Sequence, residues 1–422
     1  MTVVEGPADR SSGHPAQRRI LAVLTATQVL GGIGVATGVA ISTLAASTLS
    51  GNEAIGGLAQ TSGVTGAAVL AMPMAVAAAR HGRRAALTLA YGSGVAGAVI
   101  AATAVGLGLW PLLLAGLFLF GGGTAGSLAA RYAATDLARP THAARDLSVV
   151  VWATTIGSVA GPNLARPADD LGRALGLAAW AGPYALAAIA FGLALLGVIA
   201  LLRPDPLRAA GQAGAADAKD DAPPSRGGWQ VLRTTPQARL AVAAMVVSHM
   251  VMVSVMVMTP VHLDHGDASL TVVGLVISLH IAGMYALSPL PGWLADRFGR
   301  VPVLLIGMAL LAAAAALATV SAPHHVTRLT VALVLLGLGW SFGLVAGSAL
   351  LTESVPRPDR PSVQGLSDLL MNGGGAIGGL AAGGIVTAFS YAALSSVAAL
   401  AVLPMTAALT LAWLRRPGDH RA

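Results

Sequence analysis

The sequence predicts an all-α integral membrane protein with twelve transmembrane helices in two pseudo-symmetric six-helix bundles. Three observations predict this class: an apolar composition, twelve apolar runs of membrane-crossing length and a duplicated loop motif. The 422 residues are 55% hydrophobic and only 10% charged, with a mean hydropathy of +0.74. A soluble domain needs a more charged surface than this. Most of the chain is therefore expected to lie in a lipid bilayer.

The apolar runs are long enough to cross a bilayer as helices, which takes about 20 residues each. They lie near 20–46, 55–79, 85–107, 109–133, 143–165, 179–202, 239–262, 269–292, 302–321, 328–351, 362–388 and 390–414. One long polar stretch divides them into two sets of six. We therefore expect a tail at 1–19, an N-terminal bundle at 20–203, a linker at 204–238, a C-terminal bundle at 239–414 and a tail at 415–422.

The distribution of basic residues predicts the orientation in the membrane. Of the 25 Lys and Arg residues, Arg166, Arg173 and Arg328 fall in one set of loops and Arg131 falls within a helix. The other 21 lie in the segments that share a side with both termini. Because cytoplasmic loops carry the excess of Lys and Arg, we expect a multi-pass protein of the cell membrane with both termini in the cytoplasm.

Composition and missing motifs exclude several other functions. The chain has no cysteine, which removes disulfides and thiol catalysis. It also has no G-x-x-x-x-G-K-[ST] phosphate-binding loop and no H-E-x-x-H metal-hydrolase pattern. Its net charge of +7 is spread over short loops instead of one basic face, so no nucleic-acid partner is expected. We expect no enzymatic activity and no cofactor.

A loop motif occurs once in each half of the chain. Residues 74–84 align with residues 291–301, so that Arg80 matches Arg297, Gly82 matches Gly299 and Arg83 matches Arg300. A second pair of matching segments, 131–136 and 349–353, ends helices four and ten. Parallel repeats of six helices are typical of transporters whose site lies between the halves.

The segment Gly292-Trp-Leu-Ala-Asp-Arg-Phe-Gly-Arg300 resembles the G-x-L-a-D-R-x-G-R signature of the major facilitator superfamily. The resemblance implies a secondary transporter that works by alternating access. It also implies that Asp296 contacts the start of a helix in the other bundle and that Arg300 pairs with Glu353. In the first half Ala79 replaces the aspartate, which leaves Arg83 and Asp136 able to pair. The predicted gating residues are Gly292, Asp296, Arg297, Gly299, Arg300, Glu353, Arg83 and Asp136.

Helix five contains a second family-like motif. Gly157, Gly161 and Pro162 are similar to the G-x-x-x-G-P motif that this superfamily's antiporters carry. Small residues four apart also permit close helix packing, and proline kinks a helix. The motif therefore indicates either antiport or packing.

Helices seven and eight contain soft metal-binding side chains. His249, Met252 and Met256 share one helical face, and His280 and Met284 share another. Thioether and imidazole groups suit Cu(I), and we expect the two helices to be neighbours. The paired M-x-x-x-M and H-x-x-x-M spacings resemble those of the CcoA-like copper importers of the superfamily, which implies copper uptake with Met252, Met256, His280 and Met284 as ligands.

Other interpretations of this face remain open. Proton-coupled transport of a small organic solute, such as a drug or a flavin, is one alternative, because riboflavin transporters are akin to that branch. Methionine is also a common filler of apolar helices. A membrane receptor that transports nothing is a third possibility. In each case the partners are the lipid bilayer and a small solute or metal ion, with the protein as a monomer.

Helix eleven supplies the candidate for proton coupling. Asp368 and Asn372 lie on one face of this apolar helix. Carboxylates inside a membrane are costly and usually functional. Asp368 is therefore either a proton carrier or a structural carboxylate near the cytoplasmic end.

Overall fold

The computed structural model describes residues 15–215, 226–268 and 270–415, over which helices are joined by short loops. The first bundle contains six helices: α1 (Gln17–Ser50), α2 (Glu53–His81), α3 (Arg83–Leu107), α4 (Trp110–Ala133), α5 (Ala143–Ala174) and α6 (Ala181–Leu201). The connecting region contains α7 (Pro206–Ala215) and α8 (Gly228–Thr234). The second bundle contains α9 (Pro236–Asp264), α10 (Leu270–Tyr285), α11 (Pro289–Phe298), α12 (Arg300–Thr319), α13 (Val326–Ser354), α14 (Arg360–Ala388) and α15 (Tyr391–Leu414).

Twelve segments of the described chain are long and apolar enough to cross a membrane, with α10 and α11 together forming one of them. This confirms the predicted fold class. Several boundaries differ from the prediction, because α5 extends to Ala174 and the connecting region carries two short helices. Most of the two predicted tails, 1–14 and 416–422, lies outside the described residues.

The eighth crossing is the main departure from the predicted helices. The sequence predicts one helix over 269–292, but the structure ends α10 at Tyr285 and begins α11 at Pro289. Pro289 and Pro291 have no N–H group, so the helical hydrogen bonds to the Tyr285 and Leu287 carbonyls that these positions would otherwise donate cannot form. Apolar residues continue across the break, so the hydropathy pattern gave no indication that the helix ends there.

Close helix contacts in the first bundle depend on glycine. A Cβ on Gly157 would lie 2.6 Å from Cα of Gly32, and one on Gly161 would lie 2.5 Å from Cβ of Ala36. The Thr37 hydroxyl also donates to the Gly161 carbonyl over 3.1 Å. The motif of helix five therefore joins α5 to α1, in line with packing by small residues. Its association with antiport stays a prediction.

Each bundle has its own apolar core, and the core of the second bundle extends across the boundary to Tyr132, Ala144, Leu147 and Val151 of the first. These four residues lie at the end of the molecule where α2, α4 and α11 end and where α3, α5 and α12 begin. We call this end, with its loops at 82, 134–142 and 299, the motif end. The opposite end is the far end.

Candidate functional site

At the motif end, Asp296 of α11 caps a helix of the other bundle. Its Oδ1 accepts a hydrogen bond from the Ala144 backbone N–H over 3.1 Å, and its Oδ2 accepts one from Arg145 over 2.8 Å. Both N–H groups belong to the first turn of α5, which has no intrahelical partners for them. A carboxylate is also attracted to the positive end of the helix dipole. Asp296 thus ties the second bundle to the first.

Arg300 holds this carboxylate in place. Its guanidinium donates to Asp296 Oδ1 over 3.1 Å and forms an ion pair with Glu353 at the end of α13. It also donates to the Pro140 carbonyl of the first bundle over 3.0 Å. The contacts predicted for Asp296, Arg300 and Glu353 are therefore present. Their role in gating stays a prediction.

The first half contains the matching ion pair. Arg83 donates to both carboxylate oxygens of Asp136, over 2.7 and 3.1 Å, and its second terminal nitrogen also donates to Gln364 of α14 over 2.6 Å. All three side chains are buried. This pair therefore also connects the bundles, although Ala79 is exposed and supplies no carboxylate.

The three other residues of the predicted gate have different roles. Gly292 faces α5 so closely that a Cβ would lie 2.3 Å from the Ser148 hydroxyl oxygen. Gly299 has φ of +89°, a backbone conformation that favours glycine, at the turn into α12. Arg297 is exposed and its guanidinium lies 5.6 Å from the centre of the Trp293 ring. Arg297 takes no part in the ion pairs between the bundles.

A second buried ion pair joins the bundles within two of the candidate membrane-crossing segments. Arg131 of α4 donates to Asp368 of α14 over 2.5 Å, and their side chains are 1% and 6% exposed. The same guanidinium donates to Ser348 over 2.9 Å, to the Leu128 carbonyl over 2.5 Å and to the Tyr132 hydroxyl over 3.0 Å. The sequence singled out Asp368 but gave no partner for it, because α4 and α14 are 237 residues apart along the chain at this contact.

A cavity of about 180 Å³ lies between the bundles next to this ion pair. One water molecule needs about 10–15 Å³ of such space, so the cavity is larger than a site for a bare ion requires. Its polar and aromatic lining comes from both bundles and includes Gln28, Thr124, Ser127, Arg131, Thr154, Ser158, His249, Tyr285, Trp340 and Asn372. Asn372 also donates from its amide to the Asp368 carbonyl over 2.8 Å.

Aromatic side chains and a histidine form the wall that the second bundle contributes. The Tyr285 and Trp340 rings meet edge to face with centres 5.4 Å apart. The Trp340 indole N–H donates to His249 Nδ1 over 2.9 Å. Since this nitrogen accepts a hydrogen bond, the imidazole proton lies on Nε2 and the ring is neutral.

The structure separates the five residues of the Met/His face. His249 and Met284 line the cavity, whereas Met252 is packed in the core of the second bundle and Met256 packs against that core. His280 is fully buried and its Nδ1 lies 2.7 Å from the Leu333 carbonyl of α13. The prediction that helices seven and eight pack side by side is wrong, because α9 and α10 contact each other only slightly and each packs extensively along α13.

Sequence reasoning missed most of the first bundle's contribution to the cavity. Gln28, Ser127 and Thr154 lie on α1, α4 and α5, and Gln28 donates to the Thr154 hydroxyl over 2.8 Å. Each lies in a predominantly apolar helix. Intramembrane polarity was the available signal, but only the folded bundle brings the three together.

Comparison with known proteins agrees with this architecture. The family model of the Major Facilitator Superfamily matches residues 23–268 and 264–422. The MFS-type transporter YddS of Bacillus subtilis is 36% identical over 392 residues, which cover 92% of this chain and 90% of YddS. The riboflavin transporter RfnT of Brucella anthropi is 28% identical over 394 residues, covering 92% and 96%.

Solved structures share the fold at low sequence identity. The human organic anion transporter MFSD10 superposes with a TM-score of 0.74 at 16% identity, covering 94% of this chain and all of the other. The family match spans nearly the whole chain and the relatives are transporters, so the protein is a transporter and not an enzyme. With its two helix bundles and the match over both halves, the chain belongs to the Major Facilitator Superfamily.

Proposed function

We propose that the protein is a secondary active transporter that carries a small organic solute through the central cavity by alternating access. The observation that carries this proposal is the cavity itself, which lies between the bundles and is lined by polar and aromatic side chains from both. The motif end faces the cytoplasm in this proposal, because the basic residues concentrate there.

The contacts between the bundles support a state that is closed towards the cytoplasm. The hydrogen bonds of Asp296, Arg83 and Arg131 across the boundary all lie in the half of the molecule next to the motif end. Ser288, at the break before α11, adds a hydrogen bond of 3.1 Å to the Ser148 carbonyl. For the solute to leave on this side, these contacts have to break together. Packed interfaces switch between discrete states instead of deforming gradually.

Proton coupling is proposed to use Asp368. Its carboxylate lies beside the cavity and neutralises Arg131 across the bundle boundary. Protonation of Asp368 would remove the charge that holds Arg131, so proton binding and opening of the motif end would be linked. In reconstituted vesicles, Asp368→Asn should then abolish accumulation driven by a pH gradient but retain solute exchange.

The solute is proposed to be an aromatic compound such as a flavin. The aromatic wall of Tyr285 and Trp340 supports this class, and RfnT is a riboflavin transporter that aligns with 92% of the chain. The test is uptake of riboflavin into vesicles that contain the purified protein, with and without an inward proton gradient. Gradient-dependent uptake is the expected result, and equal uptake by protein-free vesicles would contradict the proposal.

Copper uptake is the second candidate function. His249 and Met284 both line the cavity, so two soft donors face the same space. The other predicted ligands, Met252, Met256 and His280, lie outside the cavity lining, which leaves the path predicted from the sequence incomplete. The same vesicles should therefore accumulate no Cu(I). If Cu(I) accumulates and the His249→Leu variant fails to accumulate it, copper replaces the organic solute.

A further inference from the structure

The first bundle presents an unsatisfied polar group beside the cavity. Gln28 is 3% exposed, and its side-chain nitrogen donates both to Thr154 Oγ1 and to the Ser127 carbonyl. Its Oε1, which can only accept, is buried and has no hydrogen-bond partner among the described residues. The Ser127 hydroxyl is also buried and has no hydrogen-bond partner among the described residues. Buried polar groups are nearly always paired, so this pair is arranged for a partner that brings N–H or O–H groups.

The electrostatics of the cavity favour an uncharged partner. Arg131 is the one lining residue, within the described parts of the chain, that carries a full charge, and Asp368 compensates it at 2.5 Å. The His249 ring is neutral because its Nδ1 accepts from Trp340. An anionic solute would have to compete with Asp368 for the guanidinium, and a cationic solute would find no free carboxylate.

The wall of the cavity that the second bundle contributes limits the shape of the solute. Tyr285 and Trp340, from α10 and α13, line the cavity with aromatic side chains of the second bundle, whereas Gln28 and Ser127 line it from the first bundle. Flat ring systems pack well on such surfaces. A solute that touches both walls therefore needs a planar body and a polar edge.

We propose that the cavity binds an uncharged, planar nitrogen heterocycle, whose ring N–H donates to Gln28 Oε1 while its ring system lies against Tyr285 and Trp340. This inference rests on the proposed function, because it names the solute class of the same cavity. Gln28 is then the residue that selects solutes by a donor on the ring edge, and Ser127 pairs with a neighbouring polar group of the solute. A site built to pair with such a group discriminates strongly against analogues that lack it.

The test is equilibrium binding to the purified full-length protein, measured by ligand fluorescence. The probes are riboflavin, lumichrome, 3-methylriboflavin, in which a methyl group replaces the ring N–H, and flavin mononucleotide, which adds a negatively charged phosphate. Riboflavin and lumichrome should bind, whereas 3-methylriboflavin should bind at least about tenfold more weakly, or roughly 1.4 kcal/mol. Flavin mononucleotide should also bind more weakly than riboflavin.

Two substitutions test whether the Gln28 side chain causes the preference for riboflavin over 3-methylriboflavin. Gln28→Leu should bind riboflavin and 3-methylriboflavin within about twofold of each other. Gln60→Leu, at an exposed glutamine of α2, is the matched control and should keep the wild-type difference. The assignment is overturned if no uncharged probe binds, if the methylated probe binds the wild type equally well, or if Gln28→Leu keeps the tenfold preference. Intact binding without flux in vesicles would contradict the transport proposal alone.

Discussion

Removing the Asp368 carboxylate should open the motif end. Asp368→Asn leaves the Arg131 charge without its counter-ion, although Arg131 keeps its hydrogen bonds to Ser348, Leu128 and Tyr132. Removing one member of a buried ion pair costs about 3–5 kcal/mol. This cost falls on the closed state, where both side chains are buried. At about 3 kcal/mol, the equilibrium should shift towards the open state by more than about a hundredfold.

The absence of cysteine from the chain makes this shift measurable. Ser148→Cys places one thiol at a fully buried position between α5 and α11. Its labelling by an impermeant maleimide from the motif-end side should be much faster when combined with Asp368→Asn. Asp169→Asn is the control, because its ion pair with Arg173 lies within α5 and joins no bundles. Equal labelling rates in the parent and Asp368→Asn proteins would refute the reasoning.

Three further outcomes are expected. Asp296→Ala removes the cap on α5, which costs about 0.5–2 kcal/mol, so Ser148→Cys should label up to about thirtyfold faster; an unchanged rate would remove Asp296 from the gate. Gly292→Val should reduce flux, because the added Cβ would lie 2.3 Å from Ser148 Oγ. Gly373→Val is the control, because a Cβ at Gly373 has open space around it and should leave flux unchanged. Equal flux in the two variants would show that the close contact at Gly292 is unnecessary for transport. Met256→Leu should cost under about 1.5 kcal/mol of stability and leave flux intact; lost flux would return Met256 to the solute path.

Sequence reasoning predicted the features that depend on local pattern. Membrane-crossing length and the repeated loop were sufficient for the two bundles, and the resemblance to the superfamily's loop signature implied the Arg83–Asp136 and Arg300–Glu353 pairs. The sequence did not predict the contacts that depend on how the two bundles pack against each other. Spacing placed Met252 and Met256 on one face of α9, but it carried no information on whether that face contacts the cavity or the core.

The Arg131–Asp368 pair shows the same limit. Both residues are recognisable as polar groups in apolar helices, yet their pairing depends on the docking of α4 against α14. The break between α10 and α11 was also missed, because apolar residues continue through it while the missing N–H groups of two prolines interrupt the helix. Hydropathy reports burial in lipid and is insensitive to backbone hydrogen bonding.

Alternating access requires that opening at one end of the molecule accompanies closing at the other. Spin labels on Arg139→Cys and Arg297→Cys report the distance across the motif end, and labels on Leu175→Cys and His265→Cys report it across the far end; all four positions are exposed. Double electron–electron resonance on each pair, with and without Asp368→Asn, is the direct measurement. We expect the motif-end distance to lengthen and the far-end distance to shorten in the variant. Distances that stay fixed, or that change in the same direction at both ends, would contradict alternating access.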